Sequence, residues 1–189
     1  RAVVTMQAPV AARLVPEAPP AYLERLTAQR YLGIVCPLFV LDRPLTNVWT
    51  LNIADAEALV TGVIETTSYI DPAFVGGHHL VYVPKYVAPD SPWLTASDHD
   101  VQRAWSAALA KIAPGFADVT VRHCLVHRER FVEPLHGAGA GARLVPFDAP
   151  VAGLHLCTTS QIYPALTNGE SVTRHAREAA ARLTTRSTA

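Results

Sequence analysis

The spacing of apolar residues changes several times along this chain, and each change marks an element. Val3 to Met6 predicts a short strand, and Pro19-Pro20 then opens a helix with Leu23, Leu26 and Arg30 on helical spacing. Tyr31 to Leu41 is a long apolar run closed by Asp42-Arg43-Pro44, the pattern of a buried central strand ending in a turn. Val48 to Ile53 and Gly62 to Tyr69, rich in Val, Ile, Thr and aromatics, predict two more strands, and His79 to Val83 a fourth. Ser97 has the chemistry of an N-cap, with Asp98 and Asp100 in the first turn, and Val101, Trp105, Leu109 and Ile112 form one helical face until Pro114-Gly115. Val119 to Arg128 returns as a strand in which neither alternating face is purely polar, so both are expected to be covered. The chain finishes with a predicted strand, Gly153-Leu154-His155-Leu156-Cys157, then Thr158-Thr159-Ser160, a loop, and a helix opening at Asn168-Gly169-Glu170-Ser171-Val172 and running to Leu183. Several strands, then a helix, then a strand, predict an α+β arrangement rather than a regular βαβ alternation.

Composition narrows what such a chain can do. With 189 residues, half of them hydrophobic, it can bury a sizeable core. Acidic and basic residues balance at 16 each, which gives no field for nucleic acid or anionic lipid. Arg43, Asp55 and Glu57 interrupt the longest apolar stretches, so no membrane span of about 18 residues is expected. Cys36, Cys124 and Cys157 each lie in an apolar run without CxxC spacing, the pattern of buried reduced thiols in a cytoplasmic setting.

Most familiar chemistries lack their residues. No Gly-x-Ser-x-Gly elbow is present, and Glu65, Asp71, Glu129 and Glu133 fall in unrelated segments, where solvation or local capping is their simplest role. His78 and His79 are adjacent and point to opposite faces of a strand, while His123 and His127 are about 13 Å apart along one. Zinc ligands converge within about 2.0 to 2.1 Å, so no metal site is expected. Gly137-Ala138-Gly139-Ala140-Gly141 reads as a flexible connector, because a phosphate loop needs a strand before it and a helix after it. The final strand, polar turn and helix start are different: they aim free backbone N–H groups and a positive dipole end at one point, which suits an anionic or electron-rich ligand.

That segment, with Arg1-Ala2-Val3-Val4-Thr5-Met6, Tyr31-Leu32-Gly33-Ile34-Val35-Cys36, Arg43-Pro44-Leu45-Thr46, Trp49-Thr50-Leu51-Asn52-Ile53, Gly62-Val63-Ile64-Glu65-Thr66-Thr67 and Leu80-Val81-Tyr82-Val83-Pro84-Lys85-Tyr86, resembles the FAD-dependent amine oxidoreductases. These include monoamine oxidase-like, protoporphyrinogen oxidase-like and UDP-galactopyranose mutase-like proteins. The resemblance implies a mostly antiparallel mixed sheet backed by helices as a substrate domain over residues 9–150. It also implies that residues 1–8 and 151–189 are a strand, and a strand with a helix, of a Rossmann-like FAD domain. Relatives open with a Gly-rich turn for the FAD pyrophosphate, which this sequence lacks. With its abrupt start at Arg1, the chain reads as the C-terminal part of a longer protein or one half of a split enzyme.

By the same resemblance, Thr158, Thr159 and Ser160 lie near the flavin or its ribityl chain, and Asn168, Gly169, Glu170, Ser171 and Val172 point a helix start at its N1/C2 edge. Many relatives carry Gly-Asp where this chain has Cys157-Thr158, so a carboxylate is missing there. Trp49, Asn52, Thr66, Tyr69, His79, Tyr82 and Tyr86 are expected to face a small organic substrate, an aromatic wall suited to an amine or a flat apolar molecule. The implied activity is hydride transfer from that substrate to FAD, with the missing N-terminal region, a partner chain or a second copy as partner. Two alternatives stay open: a sugar-nucleotide mutase-like isomerase using Arg43, Lys85 and Arg128, and a non-enzymatic binding or assembly subunit without cofactor.

Overall fold

A computed structural model describes residues 1–185. The chain divides into two compact units, Leu32–Val132 and, on either side of it in sequence, Arg1–Tyr31 with Glu133 onward.

The middle unit is a mostly antiparallel sheet backed by a helix, the α+β class expected. Strand β2 (Arg30–Leu41) is its centre, because its odd-numbered residues from Tyr31 to Leu41 are all buried and its even ones mostly half-buried. It pairs antiparallel with β5 (His79–Tyr82), placing Leu38 opposite Tyr82 and Leu41 opposite His79, and with β6 (Lys85–Val87), placing Ile34 opposite Tyr86. The order continues outward from β5 through β4 (Gly62–Glu65) to β3 (Thr50–Asn52), while β7 (Val121–Leu135) also pairs with β2. Gly33 permits that last pairing, since a Cβ there would come within 2.9 Å of the Glu129 carbonyl oxygen.

Helix α3 (Asp98–Ile112) starts where the sequence indicates, with Ser97 Oγ accepting the Asp100 N–H at 3.1 Å. Its Val101, Trp105 and Leu109 are fully buried in a core with Val35, Phe39, Val63, Val81 and Val83. Trp105 Nε1 donates to the Val83 carbonyl at 2.9 Å, and its ring meets Trp93 edge-on at 5.1 Å. A buried indole thus pairs its one donor while its rings fill volume.

The flanking unit is built differently. Helix α1 (Ala8–Leu14) buries Ala8, Ala11 and Ala12 against α2 (Pro20–Thr27), which contributes Tyr22 and Leu26. Strand β1 (Ala2–Val4) pairs in parallel with β8 (Leu154–Leu156), and α4 (Gly169–Thr185) follows. Between them Tyr163 to Leu166 is largely exposed loop.

Several elements depart from the sequence pattern for identifiable reasons. Helix α1 is not apparent in that pattern, its seven residues being too few to give a clear period. Arg30 opens β2 instead of extending α2. The strand expected over Gly62–Tyr69 stops at Glu65, where Ser68 Oγ donates to the Glu65 carbonyl and a short helical turn takes over. Lys85–Val87 is a strand of its own. Over His123–Arg128 in β7, Cys124, Val126 and Arg128 are half-buried while His123, Leu125 and His127 are exposed, so one face is covered there instead of two. The three cysteines are half-buried and unpaired.

Candidate functional site

Two sets of residues carry the functional expectation, one in each unit. In the flanking unit, the parallel pairing of β8 with β1 carries the chain to Thr158, where Cys157 N–H donates to Val4 O at 2.9 Å. Thr158 then caps a short helical turn: its N–H donates to Gln161 Oε1 at 2.8 Å and its side chain accepts from the Gln161 backbone. Thr158 is 4% exposed, and its polar groups are spent on this bracket. Thr159 is half-buried, and Ser160 is buried with an Oγ that has no hydrogen-bond partner.

Gln161 ties the turn further, donating from Nε2 to Val145 O at 3.0 Å and facing His175 Nε2 across 3.2 Å. Burial holds the His175 imidazole below its ordinary pKa, Glu178 opposes that shift and Arg182 adds to it.

The start of α4 is half closed. Asn168 Oδ1 accepts the Ser171 N–H at 3.0 Å while Ser171 Oγ accepts the Asn168 N–H at 3.0 Å, a reciprocal cap that uses both residues. Gly169 and Glu170 are exposed, and their N–H groups have no partner among the described residues, as in the first turn of a helix. Val172 is 39% exposed. Of the eight residues expected near a flavin, then, Gly169 and Glu170 offer open donors, while Thr158, Asn168 and Ser171 are engaged within the chain.

In the middle unit, register decides which expected residues meet. Cross-strand partners share a face: Thr50 lies opposite Ile64 and Asn52 opposite Gly62, Ile64 lies opposite Tyr82, Tyr82 opposite Leu38, and Tyr86 opposite Ile34. Asn52, Tyr82 and Tyr86 therefore stand on one face of the sheet, opposite the face that Val63, Val81 and Val35 turn toward α3. Trp49 and Tyr69, 56% and 65% exposed, meet edge-on with ring centroids 5.7 Å apart, and the half-buried Thr66 opens the turn beside Tyr69.

His79 is separated from this group. Its partner Leu41 and its neighbour Val81 both face the core, and its Nδ1 is buried without a hydrogen bond, 3.9 Å from Glu65 Oε1. Glu65 itself is a residue whose role the sequence pattern understates. Far from being solvated, it is fully buried, and its carboxylate accepts the N–H groups of Leu45 and Thr46 and the Thr46 hydroxyl, at 3.1, 2.6 and 2.8 Å. It clamps the loop that leads toward Trp49. The signal lies in the alternation: Glu65 sits two residues after the core residue Val63, a charge on an apolar row.

Two of the basic trio named for a mutase have acidic partners within the chain. Arg128 pairs with Asp98 at 2.7 Å and donates to Ala96 O, Arg43 lies 3.6 Å from Asp42, and Lys85 is on β6. No group of three or more His, Cys, Asp or Glu among the described residues could hold a metal. Nor is any described helix long and apolar enough to cross a membrane.

No family model matches this chain, and no curated protein matches it in sequence. Solved structures do match in fold. A candidate protoporphyrinogen oxidase from an Exiguobacterium species superposes at a TM-score of 0.71 with 15% identity, over 95% of this chain and 40% of its own. Cyclohexylamine oxidase from Brevibacterium oxydans gives 0.69 with 17% identity, over 99% of this chain and 43% of its own. An oxidoreductase from Methanosarcina mazei gives 0.66 with 18% identity, over 93% of this chain and 41% of its own. This chain thus spans about two fifths of the length of each neighbour and has the fold of that part of these proteins, in agreement with the resemblance to FAD-dependent amine oxidoreductases read from its sequence.

Proposed function

We propose that this chain is the substrate-domain and C-terminal portion of an FAD-dependent oxidoreductase of the amine oxidase type, working with a dinucleotide-binding region outside it. The observation that carries this reading is the start of α4, where Gly169 and Glu170 leave two backbone donors open on a fold shared with known oxidases. The parallel pair of β1 and β8 supports it as well, because parallel strands occur almost only inside larger sheets covered on both faces, and a sheet of two three-residue strands is a small remnant of one. Residues 1–8 and 151–189 are accordingly assigned to the cofactor side, and the sheet face of the middle unit to the substrate.

The residues fit a flavin in part. The open N–H groups suit the electron-rich edge of such a ring, and the buried, unpartnered Ser160 Oγ is a polar atom that a ligand could satisfy. Thr158, standing where relatives carry a carboxylate, is occupied by Gln161 and contributes none of that binding. A bound flavin would supply the hydride acceptor. The chain's own part is electrostatic and steric: the positive end of α4 favours negative charge near Gly169 and Glu170. Trp49, Tyr69, Tyr82 and Tyr86 offer aromatic surface for a small organic substrate, an amine first among them. The unpaired thiols accord with a cytoplasmic location, which is part of the same reading.

The test is to co-produce the chain with a dinucleotide-binding region of a matching oxidase or of its own gene neighbourhood, add FAD and record the flavin spectrum, then add primary amines anaerobically. Bound flavin that bleaches with an amine is the expected result. A complex that stays colourless at saturating FAD overturns the reading. Flavin that binds without bleaching would leave the cofactor assignment standing and remove the amine.

A further inference from the structure

The flanking unit contains a cleft that the flavin reading does not use. It encloses about 670 Å³, within the range of about 300–1,000 Å³ typical of small-molecule sites. Arg25 and Arg30 line it from the end of α2 and the start of β2, His136 and Gly137 from the turn after β7, and Arg143 from the segment beyond. No aspartate or glutamate lines it.

Three guanidiniums around one cleft repel each other, weakly where water screens them. Arg43, Arg103, Arg128 and Arg174 each have an acidic partner within 4.0 Å. Arg25, Arg30 and Arg143 have none among the described residues. Two of them are held in place by carbonyls instead, Arg25 Nη2 donating to Leu144 O and Arg143 Nη2 to Ala138 O at 2.6 Å. A guanidinium has five N–H donors. Each tether uses one of them, fixes the side chain and leaves the rest of the fork unclaimed.

The glycine-dense stretch now has a role. It is wound into a turn, with Ala140 N–H donating to Gly137 O at 3.1 Å, and a Cβ on Gly139 would sit 3.4 Å from Arg143 Nη1 at a φ of +69°. Bare glycine backbone lets the Arg143 guanidinium lie along the loop. Beside it the His136 ring leans edge-on against Tyr163 at 5.3 Å, and its Nε2 is buried with no hydrogen-bond partner.

We infer that this cleft binds a small multiply charged oxyanion, a polyphosphate or polycarboxylate group carried by a metabolite, gripped by Arg25, Arg30 and Arg143. Planar forks bind both anions bidentately, and a compact double charge repays three clustered cations best. The inference is independent of the flavin reading, since it needs no cofactor.

Isothermal titration calorimetry of the purified chain at low salt tests it, with inorganic pyrophosphate in one arm and citrate in the other. Saturable binding in either arm is expected, with affinity falling about tenfold for Arg30→Gln and for Arg143→Gln and not at all for Arg103→Gln, whose partner is Asp100. Saturation by pyrophosphate alone would identify a phosphorylated ligand, and saturation by citrate alone a carboxylate. The side chain of Arg30 makes no hydrogen bond within the described structure, so its variant is expected to stay folded if that of Arg143 does not. Absence of saturation in both arms, or equal affinity in wild type and Arg30→Gln, would overturn the proposal.

Discussion

The two units of this chain solve the problem of a core in opposite ways. The middle unit fills its interior with Phe39, Trp105, Leu41, Leu109 and a row of valines, large side chains delivered by strand alternation and one helical face. The flanking unit packs alanines, Ala8, Ala11, Ala12 and Ala18, around Tyr22 and Leu26, and buries His155, Thr158, Ser160 and Ser171 beside them. Burying a large apolar side chain contributes about 1.5–3 kcal/mol, whereas a satisfied polar bracket contributes only about 0.5–1.5 kcal/mol. The middle unit therefore buries the larger apolar volume, and the flanking unit buries smaller apolar side chains with more polar ones among them. The exposed helix start, the unpartnered serine and the arginine cleft all belong to the flanking unit.

The sharpest way to break this comparison is Trp105→Ala. Removing a fully buried indole that also bonds Val83 O should cost about 3–5 kcal/mol in denaturant unfolding, with hydrogen-exchange protection lost in β4, β5 and α3. Equal loss of protection in α1, α2 and β8 would mean that the chain is one cooperative body and that the contrast has no thermodynamic content. Next in size is Glu65→Ala. It leaves the Leu45 and Thr46 N–H groups and a hydroxyl without their acceptor, a cost of about 1–3 kcal/mol, and should speed exchange of the Leu45 and Thr46 amides. Unchanged exchange there would show that the loop is held by packing alone.

A smaller effect should follow pH. The folded His175 imidazole is held below the ordinary histidine value of about 6.5, chiefly by burial. As pH falls, the unfolded chain takes up the proton first, so stability is lost from about pH 6.5 downward until the folded residue also titrates, and is unaffected above that window. His175→Gln should remove this slope in thermal melts run across the range. A slope that persists in the variant would assign it to another group. The smallest effect leaves stability untouched. Burial, reinforced by Asp98, pushes the Cys124 thiol up to about 11. At pH 8 its thiolate should be on the order of a hundredfold scarcer than that of a free cysteine, and iodoacetamide followed by mass spectrometry should label it correspondingly slowly. Rapid labelling would mean that this stretch of β7 opens readily.

Elements whose signals are local are legible in the amino-acid order alone. The Ser97 cap, the Val101, Trp105 and Leu109 face and the apolar run of β2 each follow from residues within a turn or two of one another, where propensity and periodicity act. The start of α4 is legible for the same reason, since Asn168, Gly169 and Ser171 are a local cap. What the sequence determined by itself was therefore the order of the described strands and α-helices apart from α1 and β6, the α+β class and the end of the helix that leaves donors open.

Only the tertiary structure decided the rest, because it depends on partners far apart in the chain. Strand register put His79 on the core side and Asn52, Tyr82 and Tyr86 on the other, a choice that one residue of slip would reverse. The Glu65 clamp joins residues about twenty positions apart, and the arginine cleft brings Arg25 and Arg30 to Arg143. A carboxylate in a strand looks solvated until the strands beside it exclude water. Long-range pairing sets which side chains lose water together, and that loss is what turns scattered residues into a site.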